Sequence, residues 1–309
     1  MSSPHAAPRP AAPAGPRPAA RSVRRAVPPG LLFALPFLVL FAMFLLWPLG
    51  QGLWMSLTDA SLSAHSPQFV GADNFTEAFG DAEMWRALWH TVLFTLISTV
   101  PLVVVALGMA LLVHTGLPGQ WVWRLAFFAP YLLPVGVVGL LWLWLYQPDL
   151  GLYNHLLDAV GLGQAAWLSD ESVALWAIAL TTLWWTVGFN FLLYLAALQS
   201  VPDHLYEAAA IDGAGAWRRL WSITLPQLSR ITVVITVLQV LASLKVFDQV
   251  YLLTKGGPNN STRPVVEYVY DVGFTGYRLG YASAISYVFF ALVLLASAAQ
   301  YFALRRREN

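Results

Sequence analysis

The stretch Thr91–Val113, TVLFTLISTVPLVVVALGMALLV, carries no charged residue and is long enough to cross the hydrocarbon of a bilayer. An α-helix needs about 20 mostly apolar residues to do so, since it rises about 1.5 Å per residue through a core about 30 Å thick. Five more stretches pass the same test: Leu31 to about Trp54, Leu125 to Tyr146, Val173 to about Leu198, Ile231 to about Leu253, and Ala282 to Leu304. Together they predict an all-α polytopic membrane protein with six transmembrane helices. Composition agrees, because 58% of the 309 residues are hydrophobic and only 11% charged, whereas soluble domains carry about 25% charged residues. Pro36, Pro48, Pro101, Pro130 and Pro134 lie in or beside the spans, where neighbouring groups can satisfy the freed backbone. Trp47, Trp54, Trp121, Trp123 and Tyr146 gather at span ends, as interfacial aromatics do.

Lys and Arg set the orientation. Twelve of them fall in the two termini and in the loops after the second and fourth spans; four fall in the remaining loops, and Lys245 falls within the fifth span. Both termini are therefore expected to be cytoplasmic. Residues 1–30 are rich in Pro, Ala and Arg and too poor in apolar bulk to pack a core, which predicts a disordered cytoplasmic arm ahead of a membrane domain over 31–309. A cleaved signal peptide is the competing reading of Arg24, Arg25 and the apolar run behind them. That run is long for a signal core and lacks a clear small-residue cleavage site.

Several chemistries are excluded. A net charge of +1 gives no basic domain for nucleic acid, and with no cysteine there is no disulfide, thiolate metal site or Cys nucleophile. No G-x-x-x-x-G-K-[ST] loop is present to cradle ATP phosphates, and H-E-x-x-H and G-x-S-x-G are absent too. Scattered histidines, with His90 and His114 at the ends of the second span, read as interfacial polar residues rather than metal ligands.

The loop over 200–230 reads SVPDHLYEAAAIDGAGAWRRLWSITLPQLSR. Pro202 suits the start of a helix, and Asp203 and Glu207 place negative charge near its positive end. Ala208, Ala209 and Ala210 favour helix with little side-chain bulk, and Gly213 can end it in a left-handed conformation. A second short helix is expected from about Ala216 to Thr224, stopping at Pro226. The product is a helix–turn–helix at the membrane surface whose small side chains let another protein approach the backbone. An amphipathic surface helix without a partner is the plainer alternative.

This loop resembles the EAA loop of permease subunits in binding-protein-dependent ABC importers, whose pattern is E-A-A-x-x-D-G-A followed by I-x-L-P. Glu207, Ala208, Ala209, Asp212, Gly213, Ala214, Ile223, Leu225 and Pro226 match it; Trp221 stands where Phe is common, and Ile231 near where a further Pro often follows. The resemblance covers nearly all six spans and is closest to the carbohydrate branch, the maltose and glycerol-phosphate types. It is carried also by the run from Pro130 to Asn154, by LAALQSVPDHLYEAA from Leu195, and by SLKVFDQVYLLTKGGP over Ser243–Pro258, where Lys255 departs from the commoner T-G-G-G-P.

The resemblance implies a type I ABC importer permease in a bacterial inner membrane. Glu207, Ala208, Ala209, Asp212, Gly213 and Ala214 would dock on a separate ATPase dimer, which would bind ATP and Mg, with no cofactor in this chain. It further implies a second homologous permease, an extracytoplasmic sugar-binding protein and a sugar substrate.

Polar residues within spans are costly and usually face a cavity or a partner. Asn190, Tyr194 and Gln239 are expected to line the translocation cavity, with Trp184 and Trp185 as surfaces for pyranose stacking. Joining helices through polar side chains is the alternative role for the first three. Lys245 and Asp248 are expected to pair. Two other classes stay open at this point. An ion-gradient-driven transporter would need internal repeats and intramembrane carboxylates, and a membrane enzyme would need paired acids in a surface loop.

Overall fold

The computed structural model describes residues 29–63, 66–116 and 118–308, and the chain divides into two units, Met1–Gly50 and Gln51–Asn309. The expected arm lies outside the described residues apart from Pro29 and Gly30, which open the first helix. In the first unit that helix passes through a five-residue π turn, Ala42–Leu46, and its apolar side chains, such as Phe37, Met43 and Phe44, are exposed.

Among the described residues five helices are long and apolar enough to cross a membrane: Phe33–Ser56, Ala82–His114, Ala174–Gln199, Ala216–Leu244 and Leu279–Gln300. The pair Gln120–Leu132 and Val135–Leu145 is apolar enough to count as a sixth when taken together, but its two helices meet at 97°. The second span packs along the fourth and fifth. Ala106 and Ala110 of the second span are fully buried, and their small side chains let Phe191, Tyr194 and Leu195 of the fourth close in. Lipid tails are as apolar as leucine, so this contact gains dispersion energy from close fit rather than from escape from water. Gly188 serves the same end. A β-carbon there would lie 2.6 Å from the Phe127 carbonyl oxygen and 2.9 Å from the Phe128 Cα, so only glycine lets the third span cross the fourth this closely.

Two spans differ in shape or bounds from a plain apolar run. The third is not straight, because Pro134 has no N–H to continue the helical ladder and drives Leu133 into an extended conformation, φ −74° and ψ 136°. The carbonyl freed at Leu133 accepts a hydrogen bond from the Trp185 indole N–H at 3.1 Å. The fifth span is displaced toward the N-terminus, ending at Leu244 rather than Leu253. A break at residues 245–247 separates it from the short helix Asp248–Leu253. No ion pair joins Lys245 to Asp248 among the described residues. Both are exposed at the break, where Asp248 sits in the first turn of the short helix and complements its positive end.

The separate helix expected over Ala216–Thr224 is corrected as well. Pro226 does not stop it. A π turn, Leu220–Thr224, widens the helix just ahead of the proline ring, and the chain continues as Leu225–Leu244.

Candidate functional site

The elbow between the fourth and fifth spans is built from its sequence as expected at its first half. The helix Asp203–Ile211 starts after Pro202 and carries Asp203 in its first turn. Gly213 takes φ +70°, the Ala214 N–H donates to the Ala209 carbonyl at 2.8 Å, and the Gly213 N–H donates to the Ala210 carbonyl at 3.1 Å. These two bonds close a Schellman turn. Leu205, Tyr206 and Ala209 lie half-buried on one side of the helix, while Glu207, Ala208, Ala210 and Ile211 are exposed, as are Asp212 and Gly213 beyond its end. Ile211 is 88% exposed, a large apolar side chain beside two carboxylates and a run of alanines. That combination is a surface awaiting cover.

Asn190, Tyr194 and Gln239 are placed elsewhere, inside the helical bundle, at 1%, 0% and 8% exposure. The Asn190 amide donates to Gln239 Oε1 at 2.8 Å, Gln239 Nε2 donates to Ser243 Oγ at 3.0 Å, and Ser243 Oγ meets Ser98 Oγ at 3.0 Å. This chain of polar groups ties the fourth, fifth and second spans. The Tyr194 hydroxyl lies beside Thr232 without a hydrogen bond of normal geometry. The Asn190 and Gln239 amides thus meet across the fourth and fifth spans. Trp185 is engaged at the bend of the third span, and Trp184 packs edge-on against Trp142 at 5.7 Å.

The start of the second span, at the opposite end of the bundle from the elbow, holds a cluster that sequence reasoning missed. Arg263 pairs with Glu83 at 2.7 Å and lies 3.9 Å from Asp271, and Arg278 grips Glu77 through two bonds of 2.7 and 2.6 Å. Asp81 caps the second span by accepting from the Glu83 N–H, while its other oxygen accepts from the Tyr268 and Tyr281 hydroxyls. Burial opposes its charge, but these donors outweigh burial and hold its carboxyl below the usual range. Glu267 is 1% exposed. Burial, reinforced by the nearby Asp271 charge and only partly offset by Arg263, pushes its carboxyl up to about 7. Partners such as Arg263 and Glu83 are 180 residues apart in the chain, so no local pattern announces them.

Within the segment that leads into this cluster, Lys255 has φ 50°. Glycine adopts that conformation without strain, so the departure from T-G-G-G-P places a side chain where the backbone favours none.

The family model for the "Binding-protein-dependent transport system inner membrane component" matches residues 84–309. This chain belongs to that family. It is the permease subunit of an ABC importer, a multi-pass transport component of the inner membrane, and ion-gradient transport and a membrane enzyme are thereby set aside. The permease is 36% identical over 261 residues to the sulfoquinovosyl glycerol transport system permease protein SmoG of Agrobacterium fabrum, covering 84% of this chain and 85% of that protein. It is 37% identical over 276 residues to the diacetylchitobiose uptake system permease protein NgcF of Streptomyces coelicolor, covering 84% and 78%. To the sn-glycerol-3-phosphate transport system permease protein UgpA of Escherichia coli it is 34% identical over 267 residues, covering 85% and 90%. Its fold matches a chain of a bacterial ABC transporter that imports the acidic polysaccharide alginate, with a TM-score of 0.76 at 24% identity, over 90% of this permease and 96% of that chain.

Proposed function

We propose that this permease imports a sugar or sugar derivative, released to it by an extracytoplasmic binding protein. It works beside a second homologous permease and is driven by two ATPase subunits that bind ATP and Mg. Both termini and the elbow face the cytoplasm, as the distribution of Lys and Arg favours. The substrate class is supported by the relatives, whose names specify a sulfoquinovosyl glycerol, a diacetylchitobiose and a glycerol phosphate permease. A binding-protein partner is supported by the solved alginate transporter, described in complex with an alginate pentasaccharide-bound periplasmic protein.

The observation that carries the ATPase contact is the exposed elbow, where Glu207, Ala208, Asp212, Gly213 and Ile211 surround a Schellman turn with none of the described residues covering them. Closure of the ATPase pair would draw two such elbows together and turn the pathway from one side of the membrane to the other. Gly213→Val tests the docking. No heavy atom lies within 4 Å of the position a β-carbon would take, so the neighbours do not resist the change, but a β-branched residue resists φ +70° by about 1 to 2 kcal/mol. The expected variant inserts normally yet loses uptake and binding-protein-stimulated ATP hydrolysis. Normal transport by that variant would contradict docking at this turn. A mobility-shift assay of the binding protein against a panel of sugars then identifies the cargo.

A further inference from the structure

The helix Asp203–Ile211 buries none of its side chains, so a push upon it reaches the membrane helices only through whatever fastens it. Its covalent link to the fifth span runs through Gly213 and Gly215, of which only Gly213 is held by the Schellman turn. A stiffer tie crosses the gap. The Tyr206 hydroxyl lies 3.0 Å from Thr224 Oγ1, and Thr224 Oγ1 donates to the Arg219 carbonyl at 3.4 Å. A threonine hydroxyl has one proton, so with that proton on Arg219 the Tyr206 O–H is the donor to Thr224. Thr224 is buried and closes the π turn Leu220–Thr224, from which the backbone runs as continuous helix to Leu244.

We propose that the Tyr206–Thr224 hydrogen bond is the strut that carries movement of the elbow into the fifth span. Tyr206 acts here as a positioning residue that touches the membrane helix, while the opposite face of its helix meets the ATPase. The π turn gives the strut its anchorage, because a π turn brings residues five apart into register and so sets the Thr224 hydroxyl within reach of the Arg219 carbonyl. This proposal rests on the reading of the elbow as the ATPase contact.

The test uses the whole assembly, with both permeases, the ATPase pair and the binding protein, reconstituted in lipid nanodiscs for hydrolysis and in proteoliposomes for uptake. Tyr206→Phe keeps the ring and removes the hydroxyl. The expected result is a fall of about fivefold in uptake and in stimulated hydrolysis, since a typical hydrogen bond is worth about that factor. Basal hydrolysis and co-purification of the ATPase stay unchanged. Thr224→Val should lose as much, Thr224→Ser should restore the coupled rate, and the double variant should be no worse than either single one. Stimulated rates within twofold of the unaltered protein, or losses that multiply in the double variant, would overturn the strut. So would a parallel fall in basal hydrolysis or assembly, which would mark the pair as a folding contact only. An unaltered permease that retains no ATPase would instead overturn the docking reading, and the strut with it.

Discussion

At one end of the fifth span the elbow shows Glu207, Ala208, Ile211 and Asp212 to the surroundings and closes on itself with two backbone bonds. At the opposite end of the bundle, beyond the fifth span, Arg263, Arg278, Asp81 and Glu77 lock the following chain onto the start of the second span, and Glu267 is buried among them. Both regions are rich in charge, yet one spends its charge on internal partners and the other leaves it exposed. The contrast separates fastening from docking. A group whose partner lies within the chain adds to the stability of the fold, whereas a group without one is free to bind a neighbour. Removing charges at the two ends should therefore affect different measurements.

The largest effect is expected at Glu267. Its carboxyl holds a proton up to about pH 7 in the fold, against 4.5 when unperturbed. Between those values the folded protein carries more protons than the unfolded chain, so this group's contribution is complete below about 4.5 and is lost as the pH rises through 7. The loss amounts to about 3 kcal/mol. Glu267→Gln should remove that slope, so its denaturant unfolding in detergent at pH 8 should exceed that of the unaltered protein, with the gain shrinking toward pH 4.5. A slope shared by both proteins would place the titration in another group.

A smaller effect is expected at Lys255, where φ 50° strains any side chain. Lys255→Gly should stabilise the fold by about 1 kcal/mol, less the entropy that glycine adds to the unfolded chain. The same unfolding measurement checks it, and destabilisation would mean that the lysine has a contact worth more than the strain. The smallest effect on stability belongs to the elbow. Glu207→Gln should change the unfolding free energy by less than about 0.5 kcal/mol, as exposed substitutions usually do, while lowering binding-protein-stimulated hydrolysis. A large loss of stability there would erase the distinction between the two ends.

The parts of the fold that were legible were those with a local cause. Thr91–Val113 lies within the helix Ala82–His114 because a charge-free run of that length has one way to satisfy its backbone in lipid. Gly213 is left-handed as expected, since the helix signal before it ends on the residue best able to turn. The bend of the third span at Pro134 could not be read locally, because it leaves the carbonyl of extended Leu133 to a group 52 residues away. Here Trp185 takes it only after a sharp bend. The contact between Asn190 and Gln239, expected only as cavity-lining residues, was not legible, because 49 residues separate two amides that meet at 2.8 Å.

By itself the sequence determined that this chain crosses a membrane, where its elbow begins and turns, and that it belongs among ABC importer permeases. Hydrophobic length, helix-ending glycine and the EAA pattern are each contained in fewer than about 30 consecutive residues. The tertiary structure decided the rest. It set the bend of the third span and the break after Leu244. It also brought Asn190 to Gln239 and Arg263 to Glu83, and spanned the gap from Tyr206 to Thr224. Each of these depends on side chains brought together by helix packing, and in a bilayer that packing follows from the fit of small against large residues over whole helix faces.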